Sequence, residues 1–226
     1  MLEIYALKLD EIENFSLNDL LSYISKRRKK EVKKFLKKED CYRSIMGEIL
    51  IRKIACKKLK IKNRQIFFRK NSYGKPFLKD HNDFYFNLSH SGEWVVCAIN
   101  ENEVGIDIQK IEAIDLNLVN NFFSKREYES LIKQEDRQSY FYKLWTLKES
   151  YIKAIGKGLS KPLDDFTILF DGTNHIALED RSENNSYNFS QYQLDSKNYK
   201  MSVCVRGRLK EDKLVILSIS DLINGF

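Results

Sequence analysis

The chain has 226 residues, 42% of them hydrophobic and 31% charged, which suits one or two globular domains with a sizeable core. It has no run of about 18 apolar residues, Met1 to Tyr5 lacks a signal-peptide layout, and its four cysteines are scattered, so a reducing cytoplasm is expected and neither a membrane span, a zinc site nor a disulfide framework is. The 39 Lys and Arg against 32 Asp and Glu, net +7, favour an anionic partner: nucleic acid, a nucleotide, an anionic membrane or an acidic protein.

Leu2 to Leu9 alternates as a strand, with Leu2, Ile4 and Ala6 on one face. Ser16 caps a short helix containing Leu17, Leu20, Leu21 and Ile24, and Ser25 caps the next. From Lys26 to Lys38 nine of 13 residues are basic, while Val32, Phe35 and Leu36 keep a narrow apolar seam. Such a run is ordinarily a solvated helix face. The sharper readings are a nucleic-acid patch or a grip on a nucleotide phosphate, and base stacking would ask for more aromatics than Phe35. A long amphipathic helix follows from Lys38 to Leu59, on the spacing of Tyr42, Ile45, Met46, Ile49, Leu50 and Ile54. Arg43 and Arg52 lie off that stripe, and Arg43, near the helix start, is the better placed to meet an anion.

Ile66 to Arg69 reads as a short strand, and Asn71 to Pro76 as a turn by its Gly and Pro chemistry. Strands Phe84–Leu88 and Trp94–Asn100 flank Ser89-His90-Ser91-Gly92-Glu93. Ser89 and His90 are adjacent on a strand and point apart, which argues against a nucleophile–base pair. In the strand Val104–Ile108, Asp107 and Gln109 project to one face and Ile106 and Ile108 to the other. Asp is depleted in strands, so Asp107 asks for a reason. Ser124 and Glu127 form a capping box for a helix to Ile132, preceded by an aromatic loop with Phe122 and Phe123. A second long helix runs from Ser139 to Ile155 and stops at Gly156. Leu144, Leu147, Tyr151 and Ile155 make its core stripe, while Trp145, Glu149 and Lys153 step by four along a neighbouring face. Taken alone, that Glu and Lys are a solvated ion pair; opposite Asp107, Glu149 makes a hard-cation site. After the breakers of Gly156–Leu163, strands near 166–170, 187–194, 200–205 and 214–219 build a second sheet.

Three of these stretches occur together and in order: Ser89-His90 after a strand, Gly105-Ile106-Asp107-Ile108, and Trp145-Thr146-Leu147-Lys148-Glu149-Ser150-Tyr151-Ile152-Lys153. Jointly they resemble the surfactin-type 4′-phosphopantetheinyl transferases, over nearly the whole chain. The resemblance implies an α+β fold of two similar α/β lobes related by a pseudo-twofold axis, residues 1–102 and 103–226, with the active site in the cleft between them. It implies a cytoplasmic monomer that moves phosphopantetheine from coenzyme A to a serine of an acidic acyl or peptidyl carrier protein, with Mg²⁺ or Mn²⁺ as cofactor. It further implies that Arg28, Arg43, Tyr73, Gly74, Lys75, Pro76, Ser89, His90, Lys148 and Lys153 hold the coenzyme. Asp107, Gln109 and Glu149 then hold the metal, and Glu149, Lys153 and His90 serve the reaction. Two positions depart from the family pattern. Gln109 stands where many members have an acid, and Glu31 where members offer a second lysine beside the position of Arg28. The alternative from another class is a nucleic-acid-binding protein using Lys26–Lys38.

Overall fold

The computed structural model describes residues 1–115, 119, 122–170, 175–183, 185–194, 198–209 and 211–224. The chain opens with β1 (Leu2–Lys8), two short helices, α1 (Leu17–Ser22) and α2 (Lys26–Val32), and the long α3 (Lys38–Leu59). Ser25 caps α2 by accepting the Arg28 N–H at 3.1 Å, and α3 ends where Lys60 turns left-handed. A small hairpin, β2 (Phe68–Lys70) and β3 (Pro76–Leu78), then leads into β4 (Tyr85–Ser91), β5 (Trp94–Asn100) and β6 (Val104–Lys110). The second half contributes α4 (Lys125–Ile132), α5 (Arg137–Ile155), the hairpin β7 (Thr167–Phe170) and β8 (Ile176–Glu179), then β9 (Tyr187–Tyr192) and β10 (Tyr199–Arg206). It ends in β11 (Asp212–Leu217) and α6 (Ile219–Ile223).

The layers follow from strand alternation. One sheet has the order β11-β1-β5-β4 and another the order β6-β10-β9. Leu7, Val95 and Cys97 of the first sheet face α3, where they meet Ile45, Ile49 and Leu50. Ile4, Ala6, Val96 and Ala98 face the other way and pack on Ile106, Ile108, Met201 and Val203 of the second sheet. The far side of that sheet takes α5, whose Leu144, Leu147 and Tyr151 share a core with Cys204, Phe189 and Phe166. Each long helix thus covers one sheet, and the two sheets cover each other.

Two expectations are corrected here. The segment around Leu214–Ile219 does not join the second sheet: β11 pairs in parallel with β1, Leu2 opposite Asp212 and Leu7 opposite Leu217, and α6 packs near α3. The chain's last elements therefore return to the sheet of β1, β5 and β4, across the expected division at 102/103. The strand expected to end at Leu88 is also longer, and it includes Ser89 and His90. β4 continues through Ser91 and reverses at Gly92, which has φ +55°.

β4 and β6 belong to different sheets yet lie side by side, stitched by side chains. Asn87 Oδ1, Ser89 Oγ and Ser91 Oγ accept the N–H groups of Ile106, Ile108 and Lys110 at 2.9, 3.3 and 3.0 Å. α5 crosses β6 so closely that a Cβ on Gly105 would lie 1.9 Å from the Ser150 carbonyl oxygen. Glycine at that position is what lets Glu149 and Lys153 approach Asp107. No helix among the described residues is long and apolar enough to cross a membrane.

Candidate active site

A cavity of about 710 Å³ opens between α2, α3 and the β2–β3 hairpin on one side and β6 and α5 on the other. At its inner end β4 supplies Ser89 and His90, β6 supplies Asp107 and Gln109, and α5 supplies Trp145, Glu149 and Lys153. Asp107 is 1% exposed, and three donors converge on it. Lys153 Nζ and Ser89 Oγ donate to Oδ1 at 2.5 and 2.8 Å, and Gln109 Nε2 donates to Oδ2 at 3.2 Å. Lys153 Nζ also donates to Ser89 Oγ at 3.1 Å. The helical spacing of Glu149 and Lys153 suggests they pair with each other; the ammonium instead reaches across to β6.

Glu149 is left without a hydrogen bond among the described residues. Burial raises its pKa, with the Asp107 charge adding to the rise and Lys153 opposing it. His90 is pushed the other way, chiefly by burial and then by the cations Arg43 and Lys153, so its neutral form is favoured. Two carboxylates thus face one ammonium. That imbalance, with hard oxygen donors beside an open cavity, fits a divalent cation whose remaining shell comes from water and phosphate. Among the described residues no three His, Cys, Asp or Glu cluster, so such a cation would depend on this pair and on the amide of Gln109 turned to present its oxygen.

The outer end is built from paired charges. Glu48 Oε1 accepts from Ser25 N–H at 3.0 Å and from Arg52 Nε at 2.8 Å, and Glu48 Oε2 stands 3.5 Å from Arg28 Nε. Glu31 accepts from Arg27 and Arg28 at 2.9 and 3.1 Å. Arg43 donates to the Gly92 carbonyl at 2.9 Å and to Asp40 at 2.6 Å. Sequence reading missed Glu48, whose spacing from Arg52 looks like any surface pair until α3 is packed; both residues are buried.

Of the residues proposed from sequence, Arg28, Arg43, Gly74, Pro76, Ser89, His90, Asp107, Gln109, Glu149 and Lys153 line this one cavity. Three do not. Lys148 is fully buried behind α5, where its ammonium is held by both Glu127 oxygens at 2.6 and 2.7 Å and by the Phe166 carbonyl at 2.7 Å. Neighbours on a helix lie about 100° apart, so Lys148 and Glu149 serve different faces. Lys75 sends its ammonium between β6 and the end of α5, to the carbonyls of Val104 and Ala154 at 3.1 and 2.9 Å. Tyr73 is 53% exposed and stands outside the lining. Of the aromatic loop, Phe123 is 3% exposed and packs on Phe141, while Phe122 is 40% exposed and meets Trp145 edge-on at 5.5 Å.

Comparison with known proteins matches two family models. Residues 103–204 match the 4′-phosphopantetheinyl transferase superfamily, and residues 13–102 match a model described as 4′-phosphopantetheinyl transferase, N-terminal. The 4′-phosphopantetheinyl transferase Sfp of Bacillus subtilis is 35% identical over 98% of this chain and 100% of its own length. The transferase gsp of Aneurinibacillus migulanus is 46% identical over 74% of this chain and 71% of its own. Among solved structures, the holo-[acyl-carrier-protein] synthase of Thermotoga maritima matches 48% of this chain and 64% of its own, at 19% identity and a TM-score of 0.41.

Proposed function

The chain belongs to the 4′-phosphopantetheinyl transferases, and we propose that it moves phosphopantetheine from coenzyme A to a serine of an apo carrier protein with the help of Mg²⁺. The observation that carries this reading is the meeting of Ser89, His90, Asp107, Glu149 and Lys153, drawn from β4, β6 and α5, around one cavity. A phosphate-rich substrate suits a cavity in which Arg27, Arg28, Arg43, Arg69 and Lys70 outnumber Glu31 and Glu48 towards one end and a cation-seeking carboxylate pair lies at the other.

In this reading the coenzyme lies along the cavity, its pyrophosphate at the inner end and its nucleotide towards α2, α3 and the β2–β3 hairpin. His90, Ser89 and Lys153 donate to the pyrophosphate oxygens, Lys153 turning from Asp107 as the phosphate arrives. Asp107 and Glu149, with Gln109 beside them, would hold Mg²⁺, which when bound supplies charge that polarises the phosphoryl group and steadies the leaving phosphate. The carrier's serine oxygen forms a bond to the phosphorus bearing pantetheine, and the bridging P–O bond breaks. Adenosine 3′,5′-bisphosphate leaves with the bond's electrons, and the hydroxyl proton passes to Glu149, directly or through a water. Burial raises the pKa of Glu149 in the free site, but a bound cation pushes it down, so the carboxylate takes the proton best through a water. Phe122, exposed beside Trp145, offers the carrier an apolar foothold next to the reacting end of the cavity. We read the protein as a cytoplasmic monomer, and its net charge of +7 as steering acidic carriers towards it.

Mass spectrometry of a panel of apo carrier proteins, incubated with coenzyme A with and without Mg²⁺, tests the proposal. The expected result is a Mg²⁺-dependent gain of the phosphopantetheine mass on a serine. No gain on any carrier, with salt-sensitive nucleic-acid binding instead, would favour the reading built on the basic helix.

A further inference from the structure

The two lobes meet a second time behind the cavity, at the C-terminus of α5. A helix leaves its last carbonyls without partners, and the negative end of its dipole attracts cations. Here the Ile152 carbonyl is taken by Gly156 N–H, as α5 closes on a left-handed cap. The Ala154 and Gly156 carbonyls are taken from outside the helix, by Lys75 Nζ at 2.9 Å and Asn71 Nδ2 at 2.9 Å. The same Lys75 ammonium donates to the carbonyl of Val104, the first residue of β6, at 3.1 Å. Asn71 in turn fixes the turn it sits in, its Oδ1 accepting the N–H groups of Tyr73 and Lys75 at 3.0 and 2.9 Å.

One ammonium therefore joins the three elements that build the site: β6 with Asp107, α5 with Glu149 and Lys153, and the hairpin whose Gly74 and Pro76 line the cavity. The fit is close. A Cβ on Gly156 would stand 2.9 Å from Lys75 Cδ and 3.2 Å from Asn71 Nδ2, so glycine serves both the helix cap and the approach of the hairpin.

We infer that Asn71 and Lys75 form a latch that positions the hairpin wall of the cavity against the helix carrying Glu149 and Lys153. The role assigned to Lys75 is thus not contact with substrate. Its charge is already committed to two carbonyls, and burial lowers its pKa to about 8. With the latch closed, nucleotide wall and reacting carboxylates are held as one body. With it open, the hairpin, whose two short strands pair with each other, keeps its hold on the α3 core through Phe68 and Leu78 but loses its tie to α5 and β6. The inference rests on the proposed use of this cavity for coenzyme A.

The test measures KM for coenzyme A and kcat with an apo carrier, beside coenzyme A titration calorimetry and thermal melts. The proteins are wild type, Lys75→Met, Lys75→Arg, Asn71→Ala and the double variant Asn71→Ala/Lys75→Met. Lys75→Met and Asn71→Ala are each expected to raise KM and Kd for coenzyme A about tenfold, the scale of one or two lost hydrogen bonds, with a smaller change in kcat. The double variant should lose little more than the worse single, because either change opens the same latch. Lys75→Arg, which keeps donors, should recover part of the loss. A loss confined to Lys75→Met and Lys75→Arg, with Asn71→Ala like wild type, would overturn the latch in favour of direct contact. Lowered melting temperatures with wild-type KM would overturn it in favour of a purely structural brace. A wild-type protein that neither binds nor uses coenzyme A would instead overturn the functional reading itself.

Discussion

Two lysine–carboxylate sets stand on different faces of α5, one residue apart in sequence. Behind the helix, Lys148 and Glu127 are fully buried, and every polar atom is used: Lys148 on Glu127 and Phe166, Glu127 on Lys148, Ser124 N–H and Ile168 N–H. In front, Lys153 shares Asp107 with Ser89 and Gln109, and Glu149 has no hydrogen bond among the described residues. Burial drives the Lys148 pKa down while Glu127 opposes it, so that cation is held by geometry at a cost. The front carboxylate has only a cavity before it. A satisfied buried pair specifies structure; an unsatisfied carboxylate beside open space awaits a ligand.

The strongest way to break this contrast is at Asp107. Asp107→Ala should lower kcat by about 10²–10³-fold, the usual loss for a group that acts on developing charge, without unfolding the protein. Steady-state kinetics beside a thermal melt checks it, and near-normal turnover would place the reaction elsewhere. Of comparable free energy but opposite kind is Lys148→Met. Leaving Glu127 buried without its cation should cost about 3–5 kcal/mol of stability by denaturant unfolding, with turnover per folded molecule retained. Replacing both partners, Glu127→Gln with Lys148→Met, should cost less than that single change.

A gentler change sharpens the front face. Gln109→Glu adds a third charge beside Asp107 and Glu149, and the Mg²⁺ concentration for half-maximal rate should fall severalfold, without a required gain in kcat. An unchanged midpoint would leave Gln109 as no more than a donor to Asp107. Smallest is the effect at His90. In the free protein its pKa, followed by NMR, should lie below the ordinary histidine value, because burial and the nearby cations disfavour the charged form. Coenzyme A brings anionic oxygens and should raise it. Linkage then makes coenzyme A bind more tightly as pH falls through the raised pKa, and a downward shift on binding would remove His90 from the phosphates.

Much of this was legible in the letters. The stripe of Tyr42, Ile45 and Ile49 sets α3 at Lys38–Leu59, and the capping box of Ser124 and Glu127 sets the start of α4. The four-residue steps from Trp145 to Lys153 put three side chains on one face, and all three line the cavity. What was not legible depends on contacts distant in sequence. Lys75 lies in a turn announced by Gly74 and Pro76, yet where its flexible stem points is decided by the carbonyls of Val104 and Ala154. Local alternation marks β11 as a strand but not its partner, and the parallel pairing with β1 closes over nearly the whole chain. β8 is four residues of weak pattern, too short to announce itself. The resemblance puts Lys148 at the coenzyme, but the turn of the helix carries it away from Glu149, onto Glu127 and the Phe166 carbonyl.

The central claim, that one face of α5 reacts while the other holds the fold, is tested most directly by a single comparison. An apo carrier protein, coenzyme A and Mg²⁺ are incubated with equal folded amounts of wild type, Lys148→Met or Glu149→Gln, and the carrier's mass is followed with time. Wild type and Lys148→Met should add phosphopantetheine at similar rates, and Glu149→Gln should add almost none. Full modification by Glu149→Gln, or its loss in a folded Lys148→Met, would contradict the account.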